Sequence, residues 1–253
     1  MCAGRIIAAG MGRGLLAKVA ARTAVAGVPR QSESQFMPLS PQDASRRNRA
    51  LCALAPIIPV ITIEEPAHAR PLAEALVAGG LPVLEVTLRT PAALDAIRAM
   101  AAVPGGHVGA GTLITPEDVR AARAAGATFG VSPGATDALL AACESEGLPL
   151  LPGAATASEA MRLLERGYDM LKFFPAEASG GAPALRAIGA PLPQIAFCPT
   201  GGISPANAPG YLSLSNVLCC GGSWVAPQAL VRAGKWAEIE ALAREAASLG
   251  GAE

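Results

Sequence analysis

From residue 51 onward, short apolar runs rich in β-branched residues alternate with alanine-rich segments whose apolar positions recur at helical spacing. The runs cover residues 57–63, 83–88, 108–112, 128–132, 149–153, 170–174, 195–200 and 217–221. Between them, residues 66–78, 91–100, 116–125, 136–146 and 158–166 carry the helical period. Several of these segments open with Pro, Ser or Thr, which suit a first helical turn. Gly79, Gly126, Gly147 and Gly167 stand where the chain must leave a helix and are expected as C-caps.

Eight strand–helix units in succession predict an α/β fold, a (β/α)8 TIM barrel. A doubly wound open sheet is the weaker reading, because no G-x-G-x-x-G follows the first strand. Residues 41–54 form an extra N-terminal helix in this reading, closing the bottom of the barrel, and a last helix over 235–249 packs outside. The expected domains are an N-terminal extension over 1–40, disordered, and the barrel over 41–253.

Composition narrows the class. The chain has 253 residues, 51% of them hydrophobic and 16% charged, which supports a large core. Zero net charge argues against a nucleic-acid partner, and no apolar run is long enough to predict a membrane span. Six cysteines without CxxC spacing, mostly in apolar runs, fit small hydrophobes in a reducing cytoplasm. With His68 and His107 the only histidines, neither a metal nor another cofactor is expected. Residues 1–36 differ in kind: Arg5, Arg13, Lys18, Arg22 and Arg30 precede the first acid, Glu33. That composition admits a targeting peptide, a disordered tail, or a start assigned ahead of Met37.

One polar position breaks the apolar pattern most sharply. Lys172 sits in "MLKFF", where a charged ammonium is costly to bury. In "VLEVTLRT", alternation puts Leu84, Val86 and Leu88 on one face and Glu85, Thr87 and Arg89 on the other, the barrel interior and its mouth. The same rule puts Lys172 with Phe174, and Thr112 with Ala110 and Val108, all pointing inward. The second and sixth strands face each other across a barrel, so Glu85 and Lys172 are expected to meet near its axis. Such a pair is either a buried ion pair that fills the barrel or a catalytic pair. In the catalytic reading, a desolvated lysine with a lowered pKa attacks a ketone to form an imine, while the carboxylate moves protons. That is class I aldolase chemistry on a 2-oxo acid, and it needs no metal. Lys172 is expected to be partly solvated, so that its truncation removes little packing.

The remaining polar positions suit a ligand with a carboxylate at one end and a phosphate at the other. Arg89 offers a bidentate fork for the carboxylate, with Thr112 beside it. Gly201 and Gly202 follow the seventh expected strand, and Gly221, Gly222 and Ser223 follow the eighth. The loops in those two places are a common phosphate site of the fold.

On "PVLEVTLRT", "VGAGT", "SPG", "PLLPG", "KFFPAEASGG", "FCPTGGISPAN" and "GGSW", the chain from about residue 50 to 249 resembles the 2-dehydro-3-deoxy-phosphogluconate (KDPG) and 4-hydroxy-2-oxoglutarate (KHG) aldolase family. The resemblance implies a homotrimer of (β/α)8 barrels that cleaves KDPG to pyruvate and glyceraldehyde 3-phosphate in the Entner–Doudoroff pathway, often with some activity on KHG. It implies Lys172 as the imine-forming lysine and Glu85 as the acid/base acting through a water. It places Arg89, Thr112 and Pro133 at the pyruvate end with Phe174 beside the imine, and Gly201, Gly202, Gly222 and Ser223 at the phosphate. "GAAT" at 153–156 departs from the family pattern, where a bulkier residue is expected. The partners implied are small molecules: a phosphorylated 2-oxo sugar acid and pyruvate. Two alternatives stay open, the galactonate-derived diastereomer as substrate and a barrel that binds a sugar phosphate without catalysis.

Overall fold

The structure, a computed structural model, describes residues 37–250; the expected N-terminal extension lies outside them except for its last four residues. Helix α1 (Pro41–Cys52) comes first, followed by β1 (Ile57–Ile61), a 3-10 turn (Pro66–His68) and α2 (Ala69–Ala78). Then come β2 (Val83–Thr87), α3 (Ala93–Ala101), β3 (His107–Gly111), α4 (Pro116–Ala124), β4 (Phe129–Val131) and α5 (Asp137–Ser145). The fifth expected strand is two pieces, β5 (Leu150–Leu151) and β6 (Gly153–Ala154), parted at Pro152, which has no N–H for a ladder. The remainder is α6 (Ala157–Arg166), β7 (Met170–Phe173), α7 (Gly181–Gly189), β8 (Ala196–Pro199), α8 (Ala208–Leu212), β9 (Cys220–Gly222), α9 (Gln228–Arg232) and α10 (Trp236–Ala247).

All strand pairs are parallel, as strand–helix–strand connections require. One sheet has the order β5-β4-β3-β2-β1-β9 and the other β6-β7-β8. Two isolated bridges, Phe197 to Val217 and Thr200 to Gly221, run between β8 and the segment that ends in β9. The register puts Glu85 beside Val60 and Gly109, and Lys172 beside Gly153 and Cys198.

Strand residues alternate between two cores. Leu84, Val86, Leu171 and Phe173 pack outward against the helices. Ile58, Val83, Phe129, Val131, Leu151, Met170, Ala196, Cys198 and Cys219 form a second cluster, into which α1 sends Cys52. Residues of both sheets thus share one concave interior. Helix α1 closes its lower end, where the strands begin. Arg49 donates to the Asp169 carboxylate at 3.0 Å and to the carbonyls of Asp169 and Gln194, just ahead of β7 and β8.

One expectation about strand facing is corrected. Val108 and Ala110 pack outward with the helices, not inward. The inward positions of β3 are Gly109 and Gly111: a Cβ at 109 would lie 2.4 Å from the Phe129 ring, and one at 111 only 2.3 Å from Glu85 Oε1. Gly79 is the C-cap of α2 as expected, with a φ of −77° rather than the left-handed conformation. It is glycine because α10 crosses there, and a Cβ would meet that of Ala243 at 2.4 Å. Gly126, Gly147 and Gly167 do take positive φ where helices end.

Candidate active site

The site is assembled at the ends of β1, β2, β7, β8 and β9 and in the loops that follow them. Lys172 is the third residue of β7 and points into the interior, as its register partner Cys198 does. Its Nζ lies 3.2 Å from Glu85 Oε1. Lys172 is 5% exposed and Glu85 3%, so the pair is buried; the lysine is not partly solvated as expected. Packing explains the carboxylate's position. Gly109 lies opposite Glu85 on β3, and the bare Gly111 two residues on leaves the room that the Glu85 carboxylate occupies beside the lysine. Above the pair the Lys172 ammonium lies 5.2 Å from the Phe174 ring centroid, a favourable cation–aromatic contact.

Lys172 opens onto a cavity of about 460 Å³ whose walls include Arg89, Phe174, Gly201, Gly202, Gly222 and Ser223. Seven of the residues expected in the site therefore line one space. Glu85 joins them through Lys172, and Thr112 through Arg89, whose Nε donates to Thr112 Oγ1 at 3.2 Å. Thr112 reaches Arg89 for a reason alternation misses. Its φ of 63° turns the chain out of the strand, on a residue type that rarely adopts that conformation. Pro133 is not among the lining residues; it is exposed on the loop after β4. Its carbonyl presses on Gly153, where a Cβ would come within 2.3 Å. Gly153 and Ala154 belong to a strand rather than to the loop after it, and that contact leaves no space for a bulkier residue at 153.

The structure also brings in residues that the sequence reading did not name. Thr200 is buried at the cavity wall and continues the inward face of Ala196 and Cys198. Thr62 lines the cavity and shares a hydrogen bond of 3.1 Å with Thr87 Oγ1, while Gln228 Nε2 donates to the Thr62 carbonyl at 2.6 Å. Glu64, on the same wall, accepts a two-pronged contact from Arg232, which holds its carboxyl below the ordinary value. Cys198, beside Lys172, has its thiol pKa lowered, first by a hydrogen bond with Cys219 and further by the Lys172 ammonium. Of these, Thr200 was legible, because strand alternation carries it to the face of Cys198.

Chemically, the arrangement combines an amine and a carboxylate in contact, a guanidinium at one side, and glycine amides with a hydroxyl at the other. Among the described residues, no three His, Cys, Asp or Glu side chains come together in a group that suits a metal ion.

Comparison with known proteins agrees over most of the chain. The family profile described as "KDPG and KHG aldolase" matches residues 49–242. The 2-dehydro-3-deoxy-phosphogluconate aldolase of Pseudoalteromonas atlantica is 55% identical over 192 residues, 76% of this chain and 89% of that protein. The crystal structure of the Zymomonas mobilis 2-keto-3-deoxy-6-phosphogluconate aldolase with 3-phosphoglycerate is 50% identical, with a TM-score of 0.77. It covers 81% of this chain and 97% of its own. The Legionella pneumophila KDPG aldolase, with pyruvate captured as a covalent carbinolamine, is 49% identical with a TM-score of 0.77, covering 79% of this chain and 98% of that one.

Proposed function

We propose that this chain, which belongs to the KDPG and KHG aldolase family, uses Lys172 as its imine-forming nucleophile. It is a carbon–carbon lyase that cleaves 2-dehydro-3-deoxy-6-phosphogluconate reversibly to pyruvate and D-glyceraldehyde 3-phosphate. The observation that carries the residue assignment is the 3.2 Å contact between two buried charges at the floor of a cavity. A pair that served only to fill the interior would have no need to open onto that space.

In this reading Lys172 gives a proton to Glu85 and, now neutral, adds through Nζ to the C2 ketone. The protonated Glu85 returns its proton to the carbinolamine hydroxyl, which leaves as water, giving a protonated imine and a carboxylate again. Glu85, through a water, takes the proton of the C4 hydroxyl as the C3–C4 bond breaks, and the bond's electrons flow into the imine to form an enamine. The aldehyde leaves, the enamine takes a proton at C3, and hydrolysis releases pyruvate and the lysine. Arg89 and Thr112 hold the carboxylate, with Phe174 against the imine. The amides of Gly201 and Gly202 hold the phosphate with the Ser223 hydroxyl, and Gly222 lies close by. Pro133 packs its carbonyl against Gly153, the strand partner of Lys172, and through that contact backs the pyruvate end.

We take the two sheets as one closed (β/α)8 barrel; the support is the shared interior cluster, the continuity of β5 and β6 through Pro152, and the bridges beside β9. Residues 41–253 would form the aldolase domain, as a homotrimer in the cytoplasm serving the Entner–Doudoroff pathway. The exposed Ile114 and Met161 offer apolar surface for such an assembly, and light scattering would read its mass. The gluconate-derived substrate is favoured over its galactonate diastereomer because the relative and the two structures above are named for it. Family membership also supports activity on KHG.

The test is a trap. Borohydride added with pyruvate is expected to reduce the imine and leave a stable adduct, mapped by peptide mass to Lys172. An adduct elsewhere, or none, removes Lys172 from the role.

A further inference from the structure

Three successive carbonyls at the end of β8 and in the loop beyond it are gripped by hydrogen-bond donors. The Ala176 N–H donates to Thr200 O at 2.8 Å, and the Glu177 N–H to Gly201 O at 3.0 Å. The side-chain amide of Asn207 donates through Nδ2 to Gly202 O, also at 3.0 Å. In a trans peptide unit the N–H points opposite to the C=O. Fixing these three oxygens therefore aims the N–H groups of Gly201, Gly202 and Ile203 the other way. Those three residues line the Lys172 cavity, whereas Glu177 and Asn207 line a separate depression with Tyr211. Apart from the isolated bridge between Thr200 and Gly221, nothing among the described residues accepts from the three N–H groups. Consecutive unspent backbone donors make a seat for an anion.

The gripping residues are themselves fixed. Asn207 Oδ1 accepts from the Ser204 N–H at 2.7 Å, which sets the orientation of its amide. The Glu177 carboxylate accepts a hydrogen bond from Tyr211 Oη on α8. The stem of Glu177 packs so closely on Gly202 that a Cβ there would meet Glu177 Cγ at 2.6 Å. Tyr211 is buried; burial first, and then the Glu177 carboxylate, push its pKa up, so the phenol remains a donor throughout the working range.

We propose that Asn207 and the Tyr211–Glu177 pair are positioning residues for the phosphate end of the substrate. They touch no substrate. They act through the peptide planes of residues 200–203, holding three amides on one anion. The assignment rests on the phosphorylated-substrate reading above.

The test uses the full chain and the variants Asn207→Ala, Tyr211→Phe and Glu177→Gln. Inorganic phosphate binding is measured by calorimetry, together with kcat and KM for KDPG and for unphosphorylated KHG. Asn207→Ala and Tyr211→Phe are expected to raise the phosphate Kd and the KM for KDPG roughly five- to tenfold, the scale of one lost hydrogen bond in a network. Their kcat for KDPG and their kcat/KM for KHG are expected to stay at the parent's values, a split that general loosening of the fold would not produce. Glu177→Gln keeps an acceptor for Tyr211 and is expected to retain parental phosphate binding. Unchanged Kd and KM in Asn207→Ala and Tyr211→Phe, equal losses on both substrates, or no phosphate binding by the parent overturns the proposal. Failure of the pyruvate trap is a separate result: it would strike the lyase mechanism, while the phosphate comparison would still decide on the positioning residues.

Discussion

The Lys172 ammonium and the Glu85 carboxylate are almost wholly buried at the cavity floor, so each depends on the other for its charge. Removing one leaves an uncompensated charge, at a cost of about 3–5 kcal/mol. Lys172→Ala and Glu85→Ala are each expected to lower unfolding stability by that order in urea titrations. A Lys172→Met/Glu85→Leu double variant is expected to recover most of it while remaining inactive. Equal stability of both single variants and the parent would show that water reaches the pair. Glu85→Gln keeps the shape but removes the charge that pairs with Lys172, so it is expected to lose stability as Glu85→Ala does and roughly 10²- to 10⁴-fold in kcat. Both residues were legible because charge inside an apolar strand is costly enough to stand out. Thr112 was found for an incomplete reason. Alternation would turn it outward with Val108 and Ala110, and only a local left-handed twist brings it to Arg89.

At the scale of elements, α6 shows how much a local rule can carry. Thr156 accepts from the Glu159 N–H, and the Glu159 carboxylate accepts from the N–H groups of Ala155 and Thr156. The Ala155 hydrogen bond is the main cause of the lowered Glu159 pKa. A carboxyl depressed in the folded state stabilises it above the unfolded value, and that contribution fades as pH falls through the folded one. Thr156→Ala is expected to cost about 1 kcal/mol at neutral pH. The stability gap between the parent and Glu159→Ala is expected to close on acidification below the ordinary pKa of 4.5, as followed by thermal melts across pH. A gap that holds constant down to low pH would rule out this cap as its source. Thr-x-x-Glu is a contiguous signal, so the start of α6 can be read from four residues. Gly79 could not be read in that way. Its reason lies in α10, more than 150 residues further along the chain, and only packing reveals it.

For the molecule as a whole, strand order and helix placement followed from the alternating pattern, because parallel strands joined by helices leave few topologies. The division into two sheets was harder to read, since it turns on two-residue strands, a proline break and a pair of isolated bridges rather than on any apolar run. The two cores together make one global prediction. Cys52, Cys143, Cys198, Cys219 and Cys220 are buried free thiols, and burial pushes the Cys143 pKa up to about 12. Mixing with a disulfide reagent at neutral pH is expected to leave all five unmodified until the chain unfolds, with labelling that tracks the unfolding rate. Fast modification of any of them in the native protein would mean that the interior opens locally. The two bare inward positions of β3 bear on how freely the enzyme can change. Its neighbours on both sides have grown into the room those glycines leave, one with an aromatic ring and the other with the acid itself. Drift at position 109 or 111 is therefore closed off by side chains from other strands, and a library varied there would return glycine, however well another residue suited the strand.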